Sequence, residues 1–284
     1  MTMKLKIRQM TRNELDQVVQ WASKEGWNPG LADAEIFWNT DPGGFVVAEL
    51  DGKMVGSGSI ISYNGDYGFM GFFIMQPEYR NKGLGTELWC ARKELLLARL
   101  KNPLIGMDGV FNMQPFYIKG GFEFYTREIR FEYVGQKKEK ANYITELKNI
   151  SFDDIFLYDS NCFPASREKF LNMWINQKNS ICLGAIKDNK LCGYSVMRKC
   201  YSGYKIGPLF ADDAKIAEDL FVALSSNAMG AVVQLDIPEN NNAAIAMAKK
   251  YNMKEVFGCA KMYHGTFPKL PDNEIFGITT FELG

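Results

Sequence analysis

The sequence predicts an α+β protein, layered α/β/α and assembled from two copies of one unit. Three observations carry this reading. Short apolar strand patterns alternate with amphipathic helix patterns along the whole chain. The same landmarks return in the same order about 130 positions later. In the first copy, an apolar strand runs through a glycine loop into a helix. A chain of 284 residues is long for one domain and sufficient for two. Hydrophobic residues at 46% allow each half its own core.

The first unit reads in order. Leu5, Ile7 and Gln9 alternate as an opening strand. Thr11-Arg12-Asn13-Glu14 matches a capping box, and Leu15, Val18, Val19 and Ala22 give the helix behind it one apolar face. A short helix is expected around Ile36 and Phe37. Gly44 to Leu50 and Val55 to Ser62 form strands joined by the hairpin signal Asp51-Gly52. After Asn64-Gly65, the apolar run Gly68 to Met75 suits one continuous central strand. Leu88 to Leu100 reads as a helix, Leu104 to Asp108 as a strand, and Glu128 to Val134 as the unit's last strand.

The second unit repeats this layout. Asp188-Asn189 stands 137 positions after Asp51-Gly52, Asp236 stands 128 after Asp108, and Asn252 stands 131 after Gly121. The lysine-rich stretch 136–142 then links a domain over 1–135 to one over 143–284.

Composition excludes several classes. With 33 basic and 33 acidic side chains the net charge is zero, which argues against nucleic acid or a membrane surface as partner. The cysteines, Cys90, Cys162, Cys182, Cys192, Cys200 and Cys259, form no CxxC pair and read as small buried hydrophobes of a reducing compartment. With a single histidine, His264, no metal site is expected, and His264 reads as structural. The segment Met1 to Met10 lacks an apolar leader core, so the expected location is cytoplasmic.

The chemistry concentrates in Gln76-Pro77-Glu78-Tyr79-Arg80-Asn81-Lys82-Gly83-Leu84-Gly85-Thr86. A strand feeding a glycine loop feeding a helix is suited to a pyrophosphate. Gly83 and Gly85 let the backbone approach, successive N–H groups turn inward, and the positive helix end faces the anion. Arg80 and Lys82 add charge.

Arg80-x-x-Gly83-x-Gly85 resembles the first signature of the GCN5-related N-acetyltransferases (GNAT), and Phe116-Tyr117-Ile118-Lys119-Gly120-Gly121-Phe122 resembles the second. The likeness covers Leu5 to about Val134. The whole chain further resembles the two-part YitH-like acetyltransferases through Ile206 to Asp212 and Asp236 to Asn240. The resemblance implies tandem folds, each a mixed, mostly antiparallel twisted sheet flanked by helices. It implies that the strand before the loop splays from its neighbour and offers main-chain groups of Phe73, Ile74 and Met75 to the cofactor, acetyl-CoA. It implies transfer of the acyl group to a primary amine by direct attack, with Tyr117 near the sulfur as the acid.

The base is open. Asp108 sits at a strand end, where ligand-facing groups collect in α/β sheets, or else caps the helix around Asn112 to Lys119. Glu78 is either a relay or a solvated loop carboxylate. Asn112 falls where the resemblance implies a CoA contact. Trp27, Asn28 and Trp38 either wall the acceptor pocket or pack their loop.

In the second unit the loop's counterpart is Pro208 to Asp213, which lacks the glycine pair and whose Asp212-Asp213 would repel a pyrophosphate. One acyl-CoA per chain is therefore expected, and Asn240-Asn241-Asn242 reads as a helix cap. The acceptor is a small-molecule amine or a protein lysine, and the chain a monomer or homodimer. The rival readings are a non-catalytic acyl-CoA sensor and a protein-interaction module built on paired folds of this kind.

Overall fold

The structure, a computed structural model, describes residues 5–284; Met1 to Lys4, with the start of the alternating N-terminal segment, lie outside the described residues. The first half runs β1 (Lys6–Gln9), α1 (Arg12–Lys24), α2 (Asp33–Thr40), β2 (Phe45–Leu50), β3 (Lys53–Ser59), β4 (Ile61–Tyr63), β5 (Tyr67–Met70), β6 (Ile74–Met75), α3 (Leu84–Leu97), β7 (Ile105–Val110), α4 (Gln114–Lys119) and β8 (Glu123–Val134). The second runs β9 (Ile144–Glu146), α5 (Phe152–Cys162), α6 (Glu168–Ile175), β10 (Ser180–Lys187), β11 (Lys190–Lys199), β12 (Tyr204–Ala211), α7 (Ala214–Ser225), β13 (Val232–Pro238), α8 (Asn242–Lys250), β14 (Lys254–His264) and β15 (Ile275–Gly277).

Local chemistry sets these elements as expected. Thr11 and Glu14 form the reciprocal capping box at α1, whose buried face is Leu15, Val18, Val19, Trp21 and Ala22. The hairpins β2–β3 and β10–β11 turn on Asp51-Gly52 and Asp188-Asn189, each with positive φ at both residues. Gly121 and Asn252 both take left-handed φ just after α4 and α8. Asn241 caps α8, accepting from Ala244 N at 3.0 Å.

Two strand expectations need correction. The run Gly68 to Met75 is not one strand. It breaks at Phe72, whose φ is 48°, so that β5 joins a large sheet and β6 a small one. The run Val55 to Ser62 breaks likewise: β3 stays in the small sheet, and β4 pairs with β5 in the large one.

The small sheet is ordered β1-β2-β3-β6. The large one is ordered β4-β5-β7-β14-β8-β13-β12-β11-β10-β9, with β15 on β12. Its pairings are antiparallel except β5–β7 and β12–β13. At its centre the two halves exchange strands: β14 of the second half stands between β7 and β8, and β8 of the first stands between β14 and β13. Each half's last long strand thus completes the other's sheet. One core spans both halves, with Phe37 of α2 stacked on Trp174 of α6 at 6.3 Å.

Candidate active site

Between β6 and α3 the chain makes a short 3₁₀ turn, Pro77–Tyr79, and enters the helix through Asn81 and Gly83, both with positive φ. Gly83 is the N-cap at φ 80°, where a side chain would be strained, and no side chain caps the helix. A Cβ on Gly83 would meet nothing within 4 Å, and one on Gly85 would first touch the Met75 side chain at 3.4 Å. The helix end therefore faces an open cradle, with its first N–H groups and its dipole uncovered by side chains. Those features fit a pyrophosphate. Arg80 is held at its rim, donating Nε to Met75 O at 2.8 Å and pairing with Glu25. Lys82 is exposed, its ammonium 5.6 Å from the Tyr79 ring. In the second half the corresponding helix α7 is closed: Asp213 accepts from Ile216 N at 2.8 Å, and Asp212 accepts the Tyr158 hydroxyl at 2.6 Å.

Beside the cradle the sheets part. Ile74 and Met75 pair with Ser57 and Gly56 of β3, while among the described residues no strand covers the other edge of β6. Arg92 of α3 holds this fork open. Its buried guanidinium donates to Ser59 O at 2.8 Å and Gly71 O at 2.7 Å and lies 5.2 Å from the Phe73 ring.

The fork leads into a narrow pocket whose walls include Trp27, Phe73, Arg92, Asp108, Tyr117 and Phe281. Tyr117 projects from α4 across β7, so close to Gly109 that a Cβ there would stand 2.3 Å from its ring. Burial pushes its hydroxyl up to about 12, so it holds its proton at neutral pH. The Asp108 side chain is fully shielded from solvent; Oδ2 accepts from Lys261 Nζ at 3.2 Å, and Oδ1 has no partner. Burial raises this carboxyl to about 6 against the pull of Lys261. On the other side of Lys261 lies a second, narrow pocket, walled by Tyr67, Tyr125, Phe163, Phe210 and Tyr263 and by Glu128. Glu128 is buried with Oε2 unpartnered, and burial holds it well above the usual carboxylate range.

Of the expected site residues, the structure brings Trp27, Phe73, Asp108 and Tyr117 into one pocket, next to the Arg80–Thr86 cradle. It separates three others from that pocket. Asn28 ties the halves together, donating to Ser202 O and Gln234 Oε1 and accepting from Ser202 N. Trp38 stacks on Phe45 at 6.1 Å. Asn112 is exposed in the turn before α4. Asp108 does not cap that turn, which carries no side-chain cap bond. Glu78 stays an exposed loop carboxylate. His264 Nδ1 bonds Gly121 O at 2.7 Å, a structural tie. Cys162, Cys200 and Cys259 are buried as expected, whereas Cys90 is exposed on α3. Arg92, Glu128 and Lys261 went unread in the sequence. Their signal was a charge at an apolar position: Arg92 continues the buried row Leu88, Arg92, Leu96, and Lys261 interrupts Cys259-Ala260 and Met262-Tyr263.

The described residues contain no helix long and apolar enough to cross a membrane and no metal-ligand cluster.

Comparison with known proteins matches both halves. The "Acetyltransferase (GNAT) family" model matches residues 12–112, and the "Acetyltransferase (GNAT) domain" model matches residues 155–277. The chain is 27% identical over 277 residues to a holothin acyltransferase of Pseudoalteromonas sp., covering 94% of this chain and 90% of that one. It is 23% identical over 195 residues to the uncharacterized N-acetyltransferase YitH of Bacillus subtilis, covering 66% and 68%. The crystal structure of a putative acetyltransferase from Pyrococcus horikoshii superposes with a TM-score of 0.84 at 23% identity, covering 99% of this chain and 96% of that one.

Proposed function

From the premise that this chain belongs to the GNAT acyltransferases, we propose that its N-terminal unit, residues 1–135, binds acetyl-CoA and transfers the acetyl group to a primary amine. The observation that carries the reading is the asymmetry of the two helix starts. The α3 end at Gly83 is open, and the α7 end is stopped by its own Asp213. Only the first can receive the charge of a pyrophosphate without displacing a cap.

When bound, the cofactor supplies a thioester acyl group beside β6. The backbone N–H groups of residues 81–85, with Arg80 and Lys82, would hold the pyrophosphate, and the edge of β6 that no strand covers, at Phe73, Ile74 and Met75, would hold the arm. Asp108 Oδ1 would take a proton from the bound ammonium, freeing the amine lone pair to attack the acyl carbon; a carboxyl raised toward neutrality is a better base than an ordinary one. The Tyr117 hydroxyl, kept protonated by burial, donates to the departing sulfur. The cavity beyond Lys261, aromatic on most sides and acidic at Glu128, supports an amine carried on an apolar body as acceptor.

The test is thiol release from acetyl-CoA measured against a panel of amines. Amine-dependent release with a matching acetylated product supports the enzyme. Tight acetyl-CoA binding with no release above the uncatalysed rate for any amine would replace it with the sensor reading.

A further inference from the structure

We propose that Lys261, carried on β14 by the C-terminal half, is a positioning residue of the N-terminal site: its ammonium pins one oxygen of Asp108 and sets the basicity of the other. The inference rests on the reading of Asp108 as the base. The strand exchange puts Lys261 directly opposite Asp108 in the β7–β14 register, with Nζ 3.2 Å from Oδ2. The Lys261 side chain is only 10% exposed and its ammonium lies 5.2 Å from the Phe69 ring, so water does little to screen the pair. With Oδ2 engaged, Oδ1 is the atom left for a proton.

The groups around Asp108 explain why one ammonium matters. Lys261, Cys259 and Tyr263 face it from β14, Glu128 from β8, Asp236 from β13, Tyr67 from β5, and Glu282 from the C-terminal segment. The nearby Arg130 is already committed to Asp236 in a bidentate pair. Arg92, in the same pocket wall, is likewise committed to Ser59 O and Gly71 O, so Lys261 is the cation bonded to Asp108. Burial and the acidic neighbours favour the protonated form of Asp108, and Lys261 opposes them. Without it, Asp108 would hold its proton at neutral pH and cease to act as a base. The C-terminal half would then be part of the reaction although its own anion cradle is closed.

The experiment is the pH dependence of kcat/KM for wild type, Lys261→Met and Lys261→Arg. The acid limb should move up by about two pH units in Lys261→Met, lowering the rate near pH 7 by about tenfold and recovering it at high pH. Lys261→Arg should return the limb toward wild type. A loss of equal size at every pH, with the limb unmoved, would make Lys261 a packing residue and overturn the proposal. Should Lys261→Met fail to fold, Lys261→Gln keeps a polar head without the charge and carries the same two outcomes. An infrared titration of the Asp108 carboxyl band, assigned by its loss in Asp108→Asn, separates the two readings. If Asp108→Asn turns over like wild type, the base reading fails. The band's titration in the Lys261 variants still decides whether Lys261 governs that carboxyl: a midpoint unchanged by loss of the charge would overturn it.

Discussion

Asp236 and Arg130 face each other across β13 and β8 as Asp108 and Lys261 do across β7 and β14, yet the two pairs are built for opposite ends. Arg130 donates to both oxygens of Asp236, at 2.6 and 2.8 Å. Burial alone would raise Asp236, but the guanidinium outweighs it and holds the carboxyl below its ordinary value. Asp108 receives a single bond from a lysine and is left raised, with one oxygen free. The duplicated position is locked in one half and open to a proton in the other.

Breaking the locked pair should therefore cost stability. Arg130→Met leaves Asp236 buried without its partner, and chemical denaturation should show a loss of about 3–5 kcal/mol. A loss below about 1 kcal/mol would mean that water reaches the pair.

The open pair predicts a pH profile. Asp108 acts as a base only when ionised, so kcat/KM should rise as pH passes through about 6. Asp108→Asn should lower the rate and remove that limb. The same shift makes the folded state the tighter proton binder. The stability Asp108 contributes is fully present below ~4 and is lost as pH rises through about 6. An unmoved limb in the variant assigns the titration to another group.

For Tyr117, Tyr117→Phe keeps the ring against Gly109 and Trp89 and removes the hydroxyl alone. The rate constant for transfer should fall by about 10²–10⁴-fold with acetyl-CoA affinity little changed. Wild-type turnover would reduce Tyr117 to packing and leave water as the acid.

Strand exchange predicts that the halves do not separate cleanly. A fragment ending at residue 142 has β8 but lacks β13 and β14, so β7 loses one neighbour in register and β8 loses both. It should be aggregated or unfolded by circular dichroism and light scattering, and co-expression with 143–284 should rescue it. A soluble, cooperatively folding fragment would contradict this.

Local chemistry was legible in the sequence. Thr11 and Glu14, Asp51-Gly52, Asp188-Asn189 and the Gly83 loop each carry their conformation in three or four adjacent residues. The exchange was not, because periodicity says which face of β8 or β14 is buried and not which strand stands beside it. Glu128 to Val134 reads as the closing strand of its own unit. The same blindness hid Lys261, whose partner Asp108 lies 153 positions away and in the other half. The split of Gly68 to Met75 was masked by composition: Phe72 turns to positive φ inside an apolar run that resembles one strand.

Binding of one acyl-CoA at the α3 cradle can be measured by titration calorimetry of acetyl-CoA into wild type and Gly85→Asp. One site per chain is expected. Affinity should be about 100-fold weaker or more, ~2.7 kcal/mol, in a folded Gly85→Asp, whose carboxylate would stand where the pyrophosphate is expected to lie. Two comparable sites per chain, or an unchanged affinity in the folded variant, would contradict this reading.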